Sequence, residues 1–318
     1  MSHPISSLEI PTDNWDFRDA NTKEGPHVIH SYPAMMIPQV TRRLIQHLHQ
    51  LQPHAHTLLD PFCGAGTVLV ESARQGLKAW GNDLNPLALR IAKVRTTPIP
   101  ESILTVQLRG LQAMLTVERL TAWTGPIPEF ADRDFWFKPD VSHALAFVAY
   151  HIRTIITHPD VQDLAWITFS ETVRLVSNTR HSEFKLYRLA PNKLALWNPK
   201  VLSVFQQTLI RYADGLRAVS NPAQETGLVP RIVFGDTRVL AHVPDQYFDL
   251  MVTSPPYGDS RTTVAYGQFS RLSLEWLGLP PEEARTVDRS LLGGHTQKNS
   301  IPSGDSPTLC EVRAQIAR

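Results

Sequence analysis

A passage from strand to helix through a glycine-rich turn near residue 60 constrains this chain more than any other feature. Residues 58–67 read LLDPFCGAGT, and helical apolar spacing follows. Strand, tight loop and helix in this order form the first unit of a nucleotide-binding parallel sheet, so the pattern predicts an α/β fold. Gly64 and Gly66 carry no Cβ, which allows the backbone to turn sharply and to approach a ligand.

The acid that ends this strand restricts the ligand. Asp60 would hold a carboxylate over the loop, which suits a cation such as the amino group of an amino acid and repels a pyrophosphate. The free N–H groups at the start of the next helix favour a polar or anionic group. The turn has neither the G-x-G-x-x-G spacing of a dinucleotide site nor the G-K-[ST] of a phosphate loop. A tight turn without a ligand is the alternative interpretation, which the flanking acid disfavours.

Residues 60–67 resemble the S-adenosylmethionine-binding motif of the amino-methyltransferases that modify exocyclic amines of bases in DNA, and some RNA methyltransferases share this motif. The resemblance implies a Rossmann-like class I methyltransferase sheet and S-adenosylmethionine as cofactor. Residues 32–34, Tyr-Pro-Ala, are similar to the turn that flanks the methionine end of the cofactor in that family, although such a turn alone is common. The implied cofactor-binding residues are Tyr32, Pro33, Asp60, Phe62, Gly64, Gly66, Thr67, Asp83 and Asp236.

Two of these acids end later predicted strands. Asp83 closes the run at residues 78–83 and lies roughly 20 residues past the glycines, which suits hydrogen bonds to ribose hydroxyls. The alternative is that Asp83 only caps the helix that begins near Pro86. Asp236 closes the run at residues 231–236, and the resemblance implies that it lies beside the cofactor adenine.

A second motif follows the predicted strand at residues 248–253. Ser254, Pro255, Pro256 and Tyr257 resemble the catalytic tetrapeptide [DNS]-P-P-[YFW] of the same methyltransferases. In that family a serine at the first position favours cytosine N4 over adenine N6. The alternative interpretation is a proline turn after a buried strand.

The chemistry of the reaction explains the residue types of this tetrapeptide. An exocyclic amine is a poor nucleophile, because its lone pair is delocalised into the ring. Ser254 and the carbonyl that follows can accept the two amine hydrogens, which directs the lone pair at the methyl group. The prolines fix φ and hold that carbonyl in place. Tyr257 offers a flat face on which an extruded base can stack.

An insertion at residues 96–230 separates the second and third predicted strands. Apolar spacing predicts helices at residues 104–115, 141–156, 161–176 and 201–216, so we expect a helical subdomain packed against the sheet. Near its end, basic residues alternate with polar and aromatic ones, which suits phosphate contact and base readout. A solvated loop with its usual charges is the alternative. The candidate nucleic-acid-binding residues are Arg174, Arg180, Lys185 and Arg188.

Composition limits the other function classes. The net charge is +1, so a DNA-binding face must be local. Two cysteines form no disulfide framework and fit a reducing cytoplasm. No apolar run approaches 18 residues and no signal peptide opens the chain. We therefore expect a cytoplasmic protein with no membrane span and no metal.

The motifs divide the chain into five parts. We expect an N-terminal arm at 1–28, a cofactor-binding half at 29–95, the helical insertion with a role in target recognition at 96–230, a catalytic half at 231–292 and a flexible tail at 293–318. Four strands are visible in the sequence, whereas the sheet of the resembled family has seven, so we expect that C-terminal strands are missing. A second polypeptide that supplies them is one explanation.

These features predict methyl transfer from S-adenosylmethionine to an exocyclic amine of a base in DNA, with cytosine N4 favoured over adenine N6. Methylation of a guanine amine in RNA is the second hypothesis, and the chain shows no N-terminal RNA-binding appendage that would support it. A truncated remnant that binds cofactor or DNA without turnover is the third.

Overall fold

The computed structural model describes residues 15–181, 183–218, 226–255 and 265–291, and the predicted tail at 293–318 lies outside them. Four strands form one parallel sheet in the order β3-β2-β1-β4. This order is that of a doubly wound nucleotide-binding sheet, so the predicted α/β class is confirmed. The strands are β1 (Thr57–Asp60), β2 (Lys78–Asp83), β3 (Arg231–Phe234) and β4 (Leu250–Met251).

The described residues contain twelve α-helices. The four longest helices of the insertion lie close to their predicted positions. Three shorter helices, α5, α6 and α9, were not predicted, since four to six residues are too few to show a helical period. The helices are α1 (Pro38–Leu51), α2 (Thr67–Arg74), α3 (Pro86–Thr96), α4 (Glu101–Met114), α5 (Val117–Ala122), α6 (Arg133–Trp136), α7 (Pro139–Ile155), α8 (Pro159–Val176), α9 (Pro191–Leu196), α10 (Val201–Ala218), α11 (Tyr266–Trp276) and α12 (Pro281–Ser290). None of them is long and apolar enough to cross a membrane.

The strand β4 is shorter than the predicted run at residues 248–253. It pairs with β1 alone, and Asp249 sets its position by accepting hydrogen bonds at Oδ2 from the backbone N–H groups of His56 and Thr57. Met251 of β4 is 65% exposed. Within the described residues β4 is therefore the edge of the sheet, and the four strands found there are the four that the sequence predicted.

The insertion shares one hydrophobic core with the cofactor-binding half. The helix α8 packs against α3, α7, α10 and α11, and the same buried cluster includes Ile91 of α3, Phe169 of α8 and Trp276 of α11. A smaller cluster joins α1, α2, β1 and β4 through Ile45, Val68 and other buried residues. The insertion is thus helical and packed on the sheet layer, as its spacing predicted.

The last residues of the expected N-terminal arm also enter the core. Gly25–Val28 form a 3₁₀ helix that packs against α10, and a Cβ at Gly215 would lie 2.3 Å from Val28 Cγ1. The buried His27 shares a hydrogen bond of 2.7 Å with Glu71 of α2. The buried part of the chain therefore begins before residue 29.

Candidate active site

A cavity of about 450 Å³ opens at the carboxyl ends of the strands. In open parallel sheets ligands bind at this edge, at the point where the strand order reverses, which here lies between β1 and β4. Its lining comes from the segment before α1, the loops after all four strands, and the ends of α11 and α12. The lining residues are Tyr32, Pro33, Ala34, Met35, Met36, Asp60, Phe62, Cys63, Gly64, Ala65, Thr67, Val68, Asp83, Leu84, Asp236, Thr237, Arg238, Ser254, Pro255, Tyr266, Ser290 and Leu291.

All predicted cofactor-binding residues except Gly66 line this cavity. Gly66 has φ +81°, and a Cβ there would lie 2.8 Å from Ala92 Cβ of α3. Its missing side chain therefore permits the turn and the close packing of the loop on α3, not the approach of a ligand. Gly64, with φ +48°, does face the cavity, and a Cβ there would lie 3.8 Å from Tyr32 Cε1.

Asp60 is a buried carboxylate at the centre of the cavity wall. Its Oδ1 accepts hydrogen bonds from Thr253 Oγ1 at 2.7 Å and from the backbone N–H of Phe62 at 3.1 Å. Burial raises the pKa of Asp60 to about 7, against the lowering effect of these two donors. A cation bound beside Asp60 would favour its ionised form.

Asp83 lies at the end of the neighbouring strand and also lines the cavity. Its Oδ2 accepts from the backbone N–H of Gly64 at 2.9 Å, and its Oδ1 accepts from that of Asn85 at 2.8 Å. Burial raises its pKa. The cap of α3 is Asn85, whose side chain accepts from the backbone N–H of Leu87, so capping is not the role of Asp83. Each carboxylate oxygen keeps a lone pair for a ligand hydroxyl.

The turn around Tyr32 and Pro33 forms the opposite wall. The Tyr32 hydroxyl accepts from Asn85 Nδ2 at 3.0 Å, and its ring lies near the rings of Tyr266 and Phe269 in α11. His30 and Ala34, which flank this turn, have φ of +64° and +52°. For residues with a Cβ this left-handed conformation costs about 1–2 kcal/mol each, so the turn depends on its surroundings.

Side chains also join the loops after β1, β2 and β3. Asn82 Nδ2 donates to the Gly235 carbonyl and to Thr237 Oγ1, both at 3.0 Å. Thr237 Oγ1 in turn donates to the Pro61 carbonyl at 2.6 Å. Asp236 forms an exposed ion pair with Arg238 at 2.6 Å, and both line the cavity. These hydrogen bonds therefore fix the geometry of this wall of the cavity before a ligand binds.

The first half of the predicted tetrapeptide faces the same cavity as the cofactor residues. Ser254 and Pro255 line it, directly after Thr253, whose hydroxyl donates to Asp60. Pro256 and Tyr257 lie outside the described residues. The two motifs, almost 200 residues apart in the chain, thus meet through one hydrogen bond of 2.7 Å.

Three of the four predicted nucleic-acid-binding residues, Arg180, Lys185 and Arg188, lie on a hairpin formed by residues 178–181 and 183–189, here called the basic hairpin. Arg180 N–H donates to the Tyr187 carbonyl, and Thr179 pairs with Arg188 in an antiparallel bridge. Arg180 and Arg188 are exposed, and the Arg188 guanidinium lies 4.2 Å from the centre of the Phe135 ring. Lys185 is half-buried.

Arg174 differs from the other three candidates. Its guanidinium lies 4.2 Å from the centre of the Phe269 ring, and its Nη2 donates to the Glu183 carbonyl at 3.0 Å. Burial lowers its pKa. Arg174 therefore supports the basic hairpin from beneath, and its side chain is not presented as a phosphate contact.

The basic hairpin lies against the helix that contributes to the cavity. Leu186 N–H donates to Gln268 Oε1 at 3.3 Å, and the Phe184 ring lies 6.2 Å from that of Phe269. Both partners belong to α11, whose first residue Tyr266 lines the cavity. A duplex held by the hairpin would therefore lie near the cavity mouth.

Several residues of the site were not predicted from the sequence. Thr253, Met35, Met36 and Tyr266 carry no motif of their own. The position of Thr253 at the end of a predicted strand, directly before Ser254, was the one available signal. Among the described residues no group of three or more His, Cys, Asp or Glu side chains could hold a metal ion.

Known proteins support the resemblance that the motifs predicted. A family model described as D12 class N6 adenine-specific DNA methyltransferase matches residues 39–107. The Type II methyltransferase M.MvaI of Kocuria varians is 41% identical over 297 residues, which make up 90% of this chain. The Type II methyltransferase M.MjaII of Methanocaldococcus jannaschii is 32% identical over 69 residues, 22% of this chain. No solved structure matches.

The chain spans 65% of the length of M.MvaI and 12% of that of M.MjaII. The two comparisons confirm the similarity to DNA amino-methyltransferases. They give no support to a second polypeptide as a partner of this chain.

Proposed function

We propose, from this similarity to DNA amino-methyltransferases, that the protein transfers a methyl group from S-adenosylmethionine to an exocyclic amine of a base in DNA. One observation carries the proposal. Asp60 and Ser254 line the same cavity, and Thr253, the residue before Ser254, donates a hydrogen bond to Asp60. The cofactor-binding carboxylate and the first residue of the catalytic tetrapeptide thereby face the same space.

The residues that line the cavity fit this cofactor. A volume of about 450 Å³ lies within the usual range for small-molecule sites. Asp60 presents a buried carboxylate that would attract the cofactor's amino group, and Asp83 presents a half-buried one that would bind its ribose hydroxyls. Tyr32, Phe62 and Met35 provide apolar surface around them. S-adenosylmethionine supplies an electrophilic methyl group on a sulfonium.

In this proposal the chain's own residues activate the amine by position. Ser254 Oγ and the carbonyl that follows accept the two amine hydrogens of the base. The lone pair of the nitrogen then points towards the methyl group, and one amine proton leaves to solvent after transfer. Tyr257 would stack on the extruded base, which repays part of its lost stacking in the duplex.

Cytosine N4 is the amine that Ser254 favours, and adenine N6 is the alternative. The family model names adenine, but its match at residues 39–107 covers the cofactor-binding half and ends well before Ser254. The first residue of the tetrapeptide is the position that touches the amine, so we give it more weight. Arg180, Lys185 and Arg188 of the basic hairpin are the proposed phosphate contacts.

The test is a product analysis. The full-length protein is incubated with labelled S-adenosylmethionine and either duplex DNA or RNA, and the nucleic acid is digested to nucleosides. Labelled N4-methylcytosine from DNA is the expected product. Labelled N6-methyladenine would correct the base, and a labelled guanine amine from RNA would replace the proposal with the RNA hypothesis.

A variant of Ser254 provides the control for that analysis. Ser254→Ala removes one acceptor for the amine hydrogens, and we expect turnover to fall by roughly 10²-fold while the affinity for cofactor stays near the original value. Equal turnover of the two proteins would show that Ser254 does not act on the base.

A further inference from the structure

Arg95, in the last turn of α3, is an arginine whose side chain is fully buried. Within the described residues its hydrogen bonds go to backbone carbonyls and to the sulfur of Met35, not to a carboxylate. A buried guanidinium is costly unless its donors are used, because it loses its hydration. Arg95 therefore makes contacts that an apolar residue at this position could not make.

The carbonyls that Arg95 contacts belong to two segments that lead into the cavity lining, the one before the Tyr32 turn and the glycine-rich loop. Its Nε donates to the Ile29 carbonyl at 3.1 Å, and its Nη2 reaches the carbonyls of His27 and His30, both at 3.4 Å. On the other side its Nη1 donates to the Ala65 carbonyl at 3.1 Å. Ala65 stands between the two glycines of the motif, so one side chain joins the Tyr32 turn to the glycine-rich loop.

This bridge acts where the backbone is strained. His30 has φ +64°, and its carbonyl is one of the groups that Arg95 holds. Ala34 has φ +52°, and Met35, the next residue, contacts Arg95 Nη2 through Sδ at 3.1 Å. Arg95 thus holds the turn beside both left-handed residues, and Tyr32 and Pro33 lie between them.

We propose that Arg95 is a positioning residue for the cofactor, which holds the Tyr32 turn and the glycine-rich loop at the separation that S-adenosylmethionine requires. The inference rests on the proposed function, since it takes the cavity between these walls as the cofactor site. Arg95 itself does not line the cavity. It acts through Tyr32 on one wall and through Ala65 on the other.

The planar guanidinium suits this role better than an ammonium. Its five N–H donors lie in one plane and point in fixed directions, so it can serve carbonyls on opposite sides at once. Burial lowers the pKa of Arg95 to about 10, so the group stays charged at neutral pH. A lysine has three donors at a single nitrogen and cannot span both walls with the same geometry.

The test compares Arg95→Lys and Arg95→Met with Arg90→Met in the full-length protein. Arg90 lies on the same helix and pairs with Asp163 at 2.8 Å, so its variant removes an arginine from α3 without touching the cavity walls. Calorimetry well below each melting temperature measures the affinity for S-adenosylmethionine. We expect Kd to rise about tenfold or more in Arg95→Met and about threefold or more in Arg95→Lys, and to stay unchanged in Arg90→Met.

Turnover separates positioning from general damage. At saturating cofactor, kcat of Arg95→Lys should stay within about twofold of the original, with KM for the cofactor raised, because ligand binding restores the wall separation. A lower melting temperature with unchanged Kd in the folded Arg95→Lys protein would overturn the proposal and leave Arg95 a purely structural residue. If Arg95→Met does not fold, Arg95→Lys decides alone. Failure of the unaltered protein to bind the cofactor would instead overturn the proposed function.

Discussion

At the scale of single residues, Asp60 is a carboxylate that the fold buries with no cationic partner among the described residues. Two hydrogen-bond donors contact its Oδ1, yet burial dominates and raises the pKa to about 7. Asp83, half-buried nearby, has a pKa that desolvation likewise raises. The ligand-free site therefore takes up protons near neutral pH, and a bound cation would expel them.

This shift predicts a pH dependence of cofactor binding. Because the ionised form of Asp60 binds the cation and its pKa in the free protein is about 7, affinity should fall as pH drops from 8 to 6. The slope should approach about tenfold per pH unit below pH 7. Calorimetry across this range measures it.

Asp60→Asn is the control for this pH dependence. It should bind the cofactor more weakly at pH 8, by about 1.5–3 kcal/mol, because one charge-assisted contact is lost. Its affinity should also vary less with pH, since the Asp60 carboxylate no longer titrates. A flat profile for the unaltered protein between pH 8 and 6 would mean that the cofactor's cation lies elsewhere.

At the scale of elements, the basic hairpin combines two exposed arginines with a fixed base. Arg174 and Phe269 hold it from beneath, and the bridge between Thr179 and Arg188 closes it. A rigid hairpin loses little conformational entropy when it binds, which favours a recognition role. The sequence grouped Arg174 with the others, but its guanidinium is occupied within the fold.

Replacing Arg180, Lys185 and Arg188 together by Ala should weaken DNA binding and reduce its salt dependence. Each lost phosphate contact lowers the log–log slope by up to ~0.9. The matched control replaces three exposed arginines of other helices, Arg109, Arg119 and Arg217, and removes the same net charge. Titrations of a duplex at several salt concentrations measure both. Equal slopes for the two triple variants would place the DNA on another surface.

At the scale of the whole molecule, the insertion and the sheet half share their core. Phe169 of α8 is fully buried and lies near Trp166 and, across the core, near Trp276 of α11. The same cluster reaches Ile29 and Tyr32 before the sheet. The insertion should therefore unfold together with the cofactor-binding half.

Phe169→Ala tests this coupling. The cavity it leaves should cost about 3–5 kcal/mol of unfolding free energy. Tryptophan fluorescence, to which four of the seven tryptophans contribute from the insertion, and cofactor protection, which reports on the sheet half, should give the same lowered denaturation midpoint. Two separate midpoints would show that the insertion is an independent domain.

Much of the site was predictable because its signals are local. The strand, glycine turn and helix at residues 57–74 are fixed by neighbours in sequence, and Asp60 and Asp83 follow from the ends of two strands. The long helices of the insertion were also found, since their apolar spacing spans several turns. The tetrapeptide was recognised, although only Ser254 and Pro255 fall within the described residues.

The tertiary structure decided what depends on distant partners. The hydrogen bond between Thr253 and Asp60 joins residues 193 positions apart in the sequence, and the one between Arg95 and Ile29 joins residues 66 positions apart. No local pattern marks these contacts, since they arise only when strands and helices pack. The structure likewise shows that Gly66 packs against Ala92 and that the Arg174 guanidinium packs on the Phe269 ring beneath the basic hairpin. The sequence by itself determined which chemistry we propose for this chain, because the residues of each motif are contiguous in sequence. Which other side chains hold those residues in position was determined only by tertiary packing, because their partners are distant in sequence.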